Sequence, residues 1–285
     1  MTVALVLLLS GCQAPVIGPD ASTPNGPDVS PSETPTETTQ ADTPTSTETT
    51  DEGTSTPAKA TQTDPQTPQP DETPSISVEG GTLSVSPGRV FSAVREVMAA
   101  DVTPPQQVTV FENESELTAT LGGGTARVPR FYELLGLEPG EGLNGTEFER
   151  MENGLTFNRG FIYIVKSPDG DPASTEWVLA HEFGHYVNLR LDRVATLRSN
   201  LDQTTDESFV VRAVREGATV LTTDAYLARH GNRTEPTAPI YDRLLDAVSP
   251  GEIDRYGFSQ YIFGHQYVAD RIDDPADLGV VFENP

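Results

Sequence analysis

The chain has 285 residues, with 43 acidic against 18 basic side chains and a formal net charge of −25 at pH 7. This charge disfavours a nucleic-acid partner, because the phosphates would be repelled. Lysine occurs only at Lys59 and Lys166, and the remaining bases are arginine. Abundant Asp and Glu with little Lys indicate adaptation to high salt, where screening relieves the self-repulsion of the chain. The alternative is an ordinary acidic secreted protein from a high-GC genome.

The first twelve residues predict an exported, lipid-anchored protein. The apolar run at residues 3–9 is shorter than the roughly 20 residues that span a bilayer, and it fits the apolar region of a signal peptide. Leu9-Ser10-Gly11-Cys12 resembles the lipobox of prokaryotic lipoproteins, and Cys12 is the only cysteine. We therefore expect lipidation at Cys12, no intrachain disulfide, and an extracytoplasmic place at the cell surface. A signal peptide cleaved elsewhere is the alternative.

Residues 13–75 predict a disordered linker. They consist mainly of Thr, Pro, Ser, Asp and Glu, so they cannot bury enough apolar surface to offset the entropy of ordering. Such a composition is typical of an extended stalk that is open to O-glycosylation. Residues 76–285 are long enough for one folded domain with a hydrophobic core. Residues 277–285 show no closing helix, and we therefore expect a domain truncated at its C-terminus.

Within the domain, apolar spacing predicts helices mixed with short strands, an α+β fold. Residues 75–85 form a lead-in strand or the end of the stalk. Helices are expected over 89–98, 115–121 and 130–137, the last with Phe131, Leu134 and Leu135 facing inward. Strands are expected over 108–111 and 155–165, and two longer helices over 175–193 and 207–229.

The most informative stretch is the H-E-x-x-H pattern at residues 181–185, inside a predicted helix. Residues four apart lie on the same face of a helix, so His181 and His185 can reach one metal ion at the spacing that binds zinc. Glu182 can reach a water on that metal without being a ligand. The alternative is a pair of surface histidines beside an acid. The chain has only four histidines, and two of them in one such pattern favour the metal site.

A third ligand is predicted on the following helix, at Glu216. Its neighbours at the core-facing spacing are apolar, and a buried carboxylate needs a partner, which a metal ion provides. Asp224 and Glu207 are the alternative third ligands. Asp224 is also a candidate for a second role, in which it orients one of the motif histidines through a hydrogen bond.

Two segments resemble the motifs of gluzincins, the zinc metallopeptidases with two motif histidines and a downstream glutamate. The H-E-F-G-H sequence matches their active-site helix, and R-E-G-A-T at residues 215–219 resembles the segment that carries their third ligand. The resemblance covers roughly residues 108–272. A metzincin would need Gly and His at positions where this chain has Asn188 and Leu191.

This resemblance implies a zincin-like fold, in which a small sheet, an active-site helix and a second ligand helix precede a helical C-terminal part. Its edge strand, expected at 161–165, would bind an extended peptide. The resemblance further implies Zn²⁺ as cofactor and Glu182 as general base and acid that activates a zinc-bound water. An oxyanion donor is also needed. The aromatic stretch 258–268 resembles a segment of related domains, and Tyr267 and His265 are preferred there above Tyr261.

The expected protein is therefore a gluzincin-like zinc metalloendopeptidase on a prokaryotic, haloarchaeal-type lipoprotein. We expect a monomer that acts on a peptide or protein substrate and is held to the membrane by lipid on Cys12. The alternative is a catalytically silent surface lipoprotein of the same fold that serves as a binding or scaffolding module. Glu182 favours the enzyme, because metal binding alone does not require a glutamate between the two ligands.

Overall fold

A four-stranded sheet forms one side of the fold in this computed structural model, which describes residues 73–121, 132, 134–138, 153–157, 160–166, 172–204, 206–231 and 235–285. The strands are β1 Ser77–Glu79, β2 Gln107–Phe111, β3 Asn153–Thr156 and β4 Ile162–Val165, in the spatial order β1-β2-β4-β3. β1, β2 and β4 run parallel, whereas β3 pairs antiparallel with β4. Within this described sheet, β1 and β3 are therefore the edges.

Residues 155–165, expected to be one strand, contain a reversal of the chain between β3 and β4. The Gly160 amide donates to the carbonyl of Phe157 at 2.7 Å. Gly160 has a φ of +81°, a left-handed conformation that glycine adopts without a Cβ clash. The segment 161–165 was expected at the edge, but β4 lies inside the sheet between β2 and β3. The edge strand beside the predicted site is β3.

Eight α-helices accompany the sheet in the described part of the chain, which confirms the α+β class. Their bounds are α1 Pro87–Val97, α2 Glu114–Thr120, α3 Pro172–Arg190, α4 Arg193–Asn200, α5 Glu207–His230, α6 Thr237–Ala247, α7 Ile253–Ala269 and α8 Leu278–Glu283. In the predicted helix 130–137 the inward orientation is wrong for two residues, because Leu134 is 75% exposed and Leu135 53% exposed. Phe131 lies outside the described residues.

Short-range side-chain bonds explain why α1 and α2 begin where they do. The Ser86 hydroxyl accepts a hydrogen bond from the Arg89 amide at 3.4 Å, and Pro87 follows it as the first helical residue. The Asn113 side chain accepts one from the Glu116 amide at 3.1 Å. These caps satisfy backbone donors that a helix leaves unpaired at its first turn.

Helix α3 is the centre of the fold. Every residue from Ser174 to Asn188 is buried, and the helix packs against β3 and β4 as well as α1 and α5. The Phe91 ring on α1 meets the Phe183 ring edge-on at a centroid distance of 5.3 Å. A helix enclosed on all sides is apolar all round rather than amphipathic, so the polar residues on α3 must find partners inside the protein.

Helices α5 and α7 cross in unusually close contact at two glycines. A methyl group on Gly217 would overlap the backbone of Gly264, and one on Gly264 would overlap the carbonyl of Ala213. Only hydrogen at both positions lets the two backbones approach this far. Glu216 directly precedes one of these glycines, so the crossing also fixes its position.

The C-terminal end of the chain is helical, contrary to expectation. Helix α8 follows a 3₁₀ turn at Pro275–Asp277, and the Asn200 side chain donates to the Glu283 carbonyl at 2.8 Å, which joins α8 to the end of α4. At the other end, Cys12 and nearly all of the predicted linker lie outside the described residues. No helix within the described ranges has the length and apolarity needed to cross a membrane.

Candidate metal centre

Three side chains from α3 and α5 converge on one buried point. The His185 Nε2 atom lies 3.2 Å from His181 Nε2 and 3.1 Å from Glu216 Oε2, and the third separation, from His181 Nε2 to Glu216 Oε2, is 3.5 Å. All three residues are at most 7% exposed. The group that was predicted from the sequence could therefore hold a metal ion. Glu207, the alternative ligand, begins α5 nine residues earlier, about 13 Å along the helix axis.

The separations of these atoms fit a tetrahedral ion. Bonds of 2.0–2.1 Å to a tetrahedral zinc place neighbouring ligand atoms about 3.3 Å apart, close to the separations of 3.1–3.5 Å found here. Three ligands also leave one tetrahedral position open.

Thr219 determines which nitrogen of His185 carries the proton. The Thr219 hydroxyl donates to the Arg215 carbonyl at 2.8 Å, so it accepts from His185 Nδ1–H at 3.1 Å. The Nε2 atom then carries a lone pair that points at the Glu216 carboxylate. Two acceptors face each other at hydrogen-bond distance, an arrangement that a cation between them stabilises.

The pKa shifts of His185 and Glu216 both favour the forms that bind a metal ion, but they have different causes. Burial lowers the pKa of His185 to about 4, against the opposite influence of Glu216, so the imidazole is neutral at pH 7. Burial also acts to raise the pKa of Glu216, but the two imidazoles outweigh it and hold that pKa below its ordinary value. Two buried polar atoms of the group, His181 Nδ1 and Glu216 Oε1, have no hydrogen-bond partner in the described structure. Orphaned polar atoms of this kind are typical of a site that binds an ion or water.

Glu182 lies beside the three ligands and is held by β3. The Thr156 hydroxyl donates to Glu182 Oε2 at 2.6 Å. A Cβ on Gly154 would lie 2.5 Å from Glu182 Cγ, so only glycine admits this side chain. Burial raises the pKa of Glu182 to about 7, although His181 and the Thr156 hydrogen bond both lower it. A carboxyl group with such a pKa can both accept and return a proton near neutral pH.

Asp224 does not take the predicted role of orienting a motif histidine. It lies eight residues beyond Glu216 on α5, about 12 Å along the helix axis. Its carboxylate instead accepts a hydrogen bond from the Thr237 amide at the start of α6. The partner of the His185 imidazole is Thr219, three residues after Glu216 and on the same face of the helix.

The aromatic residue of α7 that lies beside the metal ligands is Tyr261, which was ranked third. Its ring centroid is 6.1 Å from that of His181 and 4.4 Å from the Tyr241 ring, on which it stacks. His265 lies one turn farther along α7. Burial lowers its pKa, and the charges of Asp224 and Asp242 only partly oppose this effect.

Tyr267 lies two residues beyond His265, and its ring packs under the Arg271 guanidinium at 3.6 Å. No contact of Tyr267 or His265 with the three ligands is found in the described residues. The order expected from the sequence, Tyr267 and His265 above Tyr261, is therefore not the order of proximity to the metal ligands.

Sequence reasoning missed four residues at this centre: Thr219, Thr156, Gly154 and Tyr241. Only Thr219 carried a readable signal, because its spacing from Glu216 places it on the same face of one helix. Thr156 and Gly154 reach Glu182 through the reversal before β4, and Tyr241 reaches Tyr261 through packing of α6 on α7. Such contacts depend on tertiary structure.

Comparison with known protein families, with curated proteins and with solved structures finds no match to this chain. The description of the candidate metal centre therefore rests on its geometry alone. That geometry consists of three buried side chains whose candidate ligand atoms all lie within 4.8 Å of one another, and a fourth carboxyl group held beside them.

Proposed function

We propose that this chain is a zinc-dependent peptidase of the gluzincin type. The observation that carries the proposal is the placement of Glu182, which is buried, held by Thr156 at 2.6 Å, and adjacent in sequence to a ligand without being part of the ligand group. Metal storage or a purely structural ion needs no carboxyl group in this position. A hydrolase does, because a general base must lie beside the reacting water.

The donor set supports zinc as the ion. Two imidazole nitrogens and one carboxylate oxygen are the ligands of catalytic zinc sites with an open fourth position. When bound, zinc lowers the pKa of water and polarises a carbonyl group, the two requirements of peptide-bond hydrolysis.

The residues around the ion provide the proton transfer. Thr156 holds the carboxyl group of Glu182 through Oε2, and that carboxyl group takes a proton from the attacking water. The same carboxyl group returns the proton to the leaving amine. Burial and the nearby carboxylates raise the pKa of Tyr241 well above its ordinary value, so its hydroxyl remains a donor at every working pH. Tyr241 and Tyr261 are our candidates to stabilise the oxyanion.

The edge of β3 is our candidate for the substrate-binding strand. One side of β3 pairs with β4, and Thr156 of β3 donates a hydrogen bond to Glu182. An extended peptide that paired with the other side of β3 would therefore pass close to Glu182, the proposed general base. We propose a zincin-like fold, in which the sheet is followed by the active-site helix α3, the ligand helix α5 and a helical C-terminal part. We further propose a monomer at the cell surface, tethered through lipid on Cys12.

Zinc content and hydrolysis of casein or peptides, measured on the full chain and on Glu182→Gln, test this function. We expect one zinc per chain in both proteins, and a loss of hydrolysis of at least about 100-fold in the variant. Thr120→Val, a change at an exposed position of α2, is the control and should retain activity. Stoichiometric zinc without hydrolysis in the unmodified chain would contradict the enzyme and favour the silent binding module.

A further inference from the structure

Helix α6 depends on its neighbours for the hydrogen bonds at its start. Pro236 precedes the helix, and no side chain at that position caps it. The amide of Thr237, the first helical residue, donates instead to the Asp224 carboxylate on α5. An amide in a first helical turn needs such an acceptor, and a negative charge is favourable at that end of a helix. The start of α6 is therefore attached to the helix that carries Glu216.

The Thr237 side chain forms a second attachment, to α3. The Trp177 indole N–H donates to the Thr237 hydroxyl at 2.9 Å. Thr237 is 0% exposed, so bulk water cannot replace this hydrogen bond if it is lost. Trp177 lies four residues before His181 on α3, one helical turn away and on the same face. Thr237 therefore joins α6 to both helices that carry the candidate metal ligands.

Tyr241 lies one turn after Thr237, on the same face of α6. Its ring stacks on the Tyr261 ring at a centroid distance of 4.4 Å and lies 6.4 Å from the Trp177 ring. Both of these rings also pack beside the His181 ring, at centroid distances of 6.1 Å and 6.3 Å. The start of α6 and this aromatic packing together fix the place of Tyr241 relative to the candidate metal centre.

The hydroxyl of Tyr241 has no acceptor of its own. The residue is 5% exposed, and no hydrogen bond found among the described residues includes its hydroxyl. Burial raises the pKa of Tyr241, and the charges of Glu216, Glu182 and Asp224 act in the same direction. The hydroxyl therefore keeps its proton at neutral pH and lies close enough to the carboxylates of the centre to be influenced by them. A largely buried donor without an acceptor indicates an acceptor that arrives with a ligand.

We propose, on the basis of the peptidase function above, that Thr237 is a positioning residue for Tyr241. By joining α6 to α3 and α5, it holds the Tyr241 hydroxyl where it donates a hydrogen bond to a negatively charged oxygen of a molecule bound at the candidate metal centre. In peptide hydrolysis that oxygen is the substrate carbonyl oxygen, which gains its charge as water attacks. A donor that is already in place costs no reorganisation at that moment, so its effect belongs to the transition state rather than to substrate binding.

Binding of acetohydroxamate, a small zinc chelator with anionic oxygens, tests this role without hydrolysis. In the zinc-loaded chain, Tyr241→Phe should weaken acetohydroxamate binding about 10- to 100-fold, the range of a hydrogen bond to a charged group. Thr237→Val should cause a large part of the same loss, while zinc affinity stays unchanged in both variants. The double variant should bind no more weakly than Tyr241→Phe, because Thr237 acts through Tyr241. Losses that simply add would contradict the proposal.

Two further variants separate positioning from a general loosening of α6. Thr237→Ser keeps both the hydroxyl and the amide, and it should retain the affinity for acetohydroxamate. Ile240→Val is the matched control, because Ile240 is 1% exposed on the same helix and the change costs about 0.5–1.5 kcal/mol of stability without removing a hydrogen bond. It should leave the affinity within about twofold. Equal weakening in Ile240→Val and Thr237→Val would overturn the role of Thr237.

Kinetics on the same variants separate this proposal from the peptidase function. In a chain that cleaves peptides, Thr237→Val and Tyr241→Phe should lower kcat, by about 100-fold for Tyr241→Phe, with little change in KM. If the unmodified chain cleaves nothing but the two variants lose acetohydroxamate affinity as described, the positioning role is supported and the peptidase is contradicted. If Thr237→Val leaves both kcat and acetohydroxamate affinity unchanged in a chain that cleaves peptides, the positioning role is wrong and the peptidase stands.

Discussion

Thr219 illustrates how one hydroxyl group prepares a metal ligand. Because it donates to the Arg215 carbonyl, it can only accept from His185, and the imidazole therefore presents the lone pair of Nε2 to the point where a metal ion could bind. An imidazole without this partner can rotate or adopt the other tautomer, and it then loses affinity for the ion. Thr219 also packs its methyl group 3.0 Å from the Cβ position of Gly184, which limits movement of α5 against α3.

We predict that Thr219→Val weakens zinc binding about 10- to 100-fold, the effect of losing an outer partner of a metal-bound histidine. Valine keeps the shape of the side chain and removes only the acceptor. Thr222→Val is the matched control, because Thr222 packs on the same Gly184 but donates only to the Ala218 carbonyl of its own helix. Competition with a fluorescent chelator measures both affinities, and equal weakening in the two variants would contradict the role of Thr219.

Asp254 provides a prediction about pH. Burial, with a smaller influence from Glu252, raises the pKa of Asp254 to about 6, whereas an unfolded chain has about 3.9. The folded state therefore binds the proton more tightly. The resulting stability is complete below about pH 4 and is lost as the pH rises through 6.

Asp254→Asn keeps the shape of the residue and cannot ionise. Its free energy of unfolding should rise relative to that of the unmodified chain between pH 4 and 6, by an amount on the order of 2 kcal/mol. Urea unfolding at several pH values measures the difference. An offset that stays constant with pH would show that Asp254 is ionised throughout.

For individual residues, the spacing along a helix determined which members of the site could be predicted from the sequence. His181, Glu182, His185 and Glu216 lie on two helices with regular spacing, and helical periodicity places them without knowledge of the fold. Asp224 shared that periodicity but lies two turns beyond Glu216, so distance along the helix should have excluded it as a partner of the histidines. Tyr261 and Tyr241 depend on how three helices pack, which spacing does not encode.

Among the helices, the crossing of α5 and α7 sets the geometry of the candidate metal centre. Gly217 and Gly264 bring the backbones together. Glu216, next to Gly217, and Tyr261, three residues before Gly264, approach His181 from the two helices. A change in the distance between these helices would therefore displace a ligand and an aromatic neighbour together.

We predict that Gly264→Ala destabilises the protein by about 1–3 kcal/mol or more, because the methyl group meets backbone atoms of α5 that cannot rotate away. It should also weaken zinc binding, since Glu216 moves with α5. The control is Gly279→Ala in α8, where the nearest atom to a new Cβ is 4.0 Å away. That variant should gain up to about 1 kcal/mol from higher helix propensity. Thermal unfolding with and without zinc compares the two.

Helices were easier to predict than strands for a physical reason. The helices of the site repeat their apolar residues over four or more turns, so α3 and α5 begin and end within a few residues of expectation. β3 and β4 have four residues each, too few for a periodicity that separates one long strand from two short ones. The sequence cue to the reversal is the run Asn158-Arg159-Gly160, in which Gly160 has a positive φ.

On the scale of the whole molecule, the folded part at residues 76–285 carries 32 acidic and 17 basic side chains, a net charge of −15, which destabilises the folded state to an extent that salt controls. Like charges on a compact surface repel each other more strongly than on an expanded chain. The screening length is about 8 Å at physiological ionic strength and about 3 Å at 1 M, so molar salt confines the repulsion to nearest neighbours. The described ion pairs offset little of it, since most are exposed and each contributes at most about 1 kcal/mol.

We predict that the free energy of unfolding rises steadily with KCl at pH 7, from physiological to molar concentration. Salt also stabilises proteins by exclusion from their surface, an effect that does not require charge on the protein. The two causes separate near the isoelectric point of about 4.3, where net repulsion disappears and exclusion remains. Adaptation through screening therefore requires a much smaller salt dependence at that pH than at pH 7, and equal slopes in denaturant unfolding at the two pH values would attribute the effect to exclusion alone.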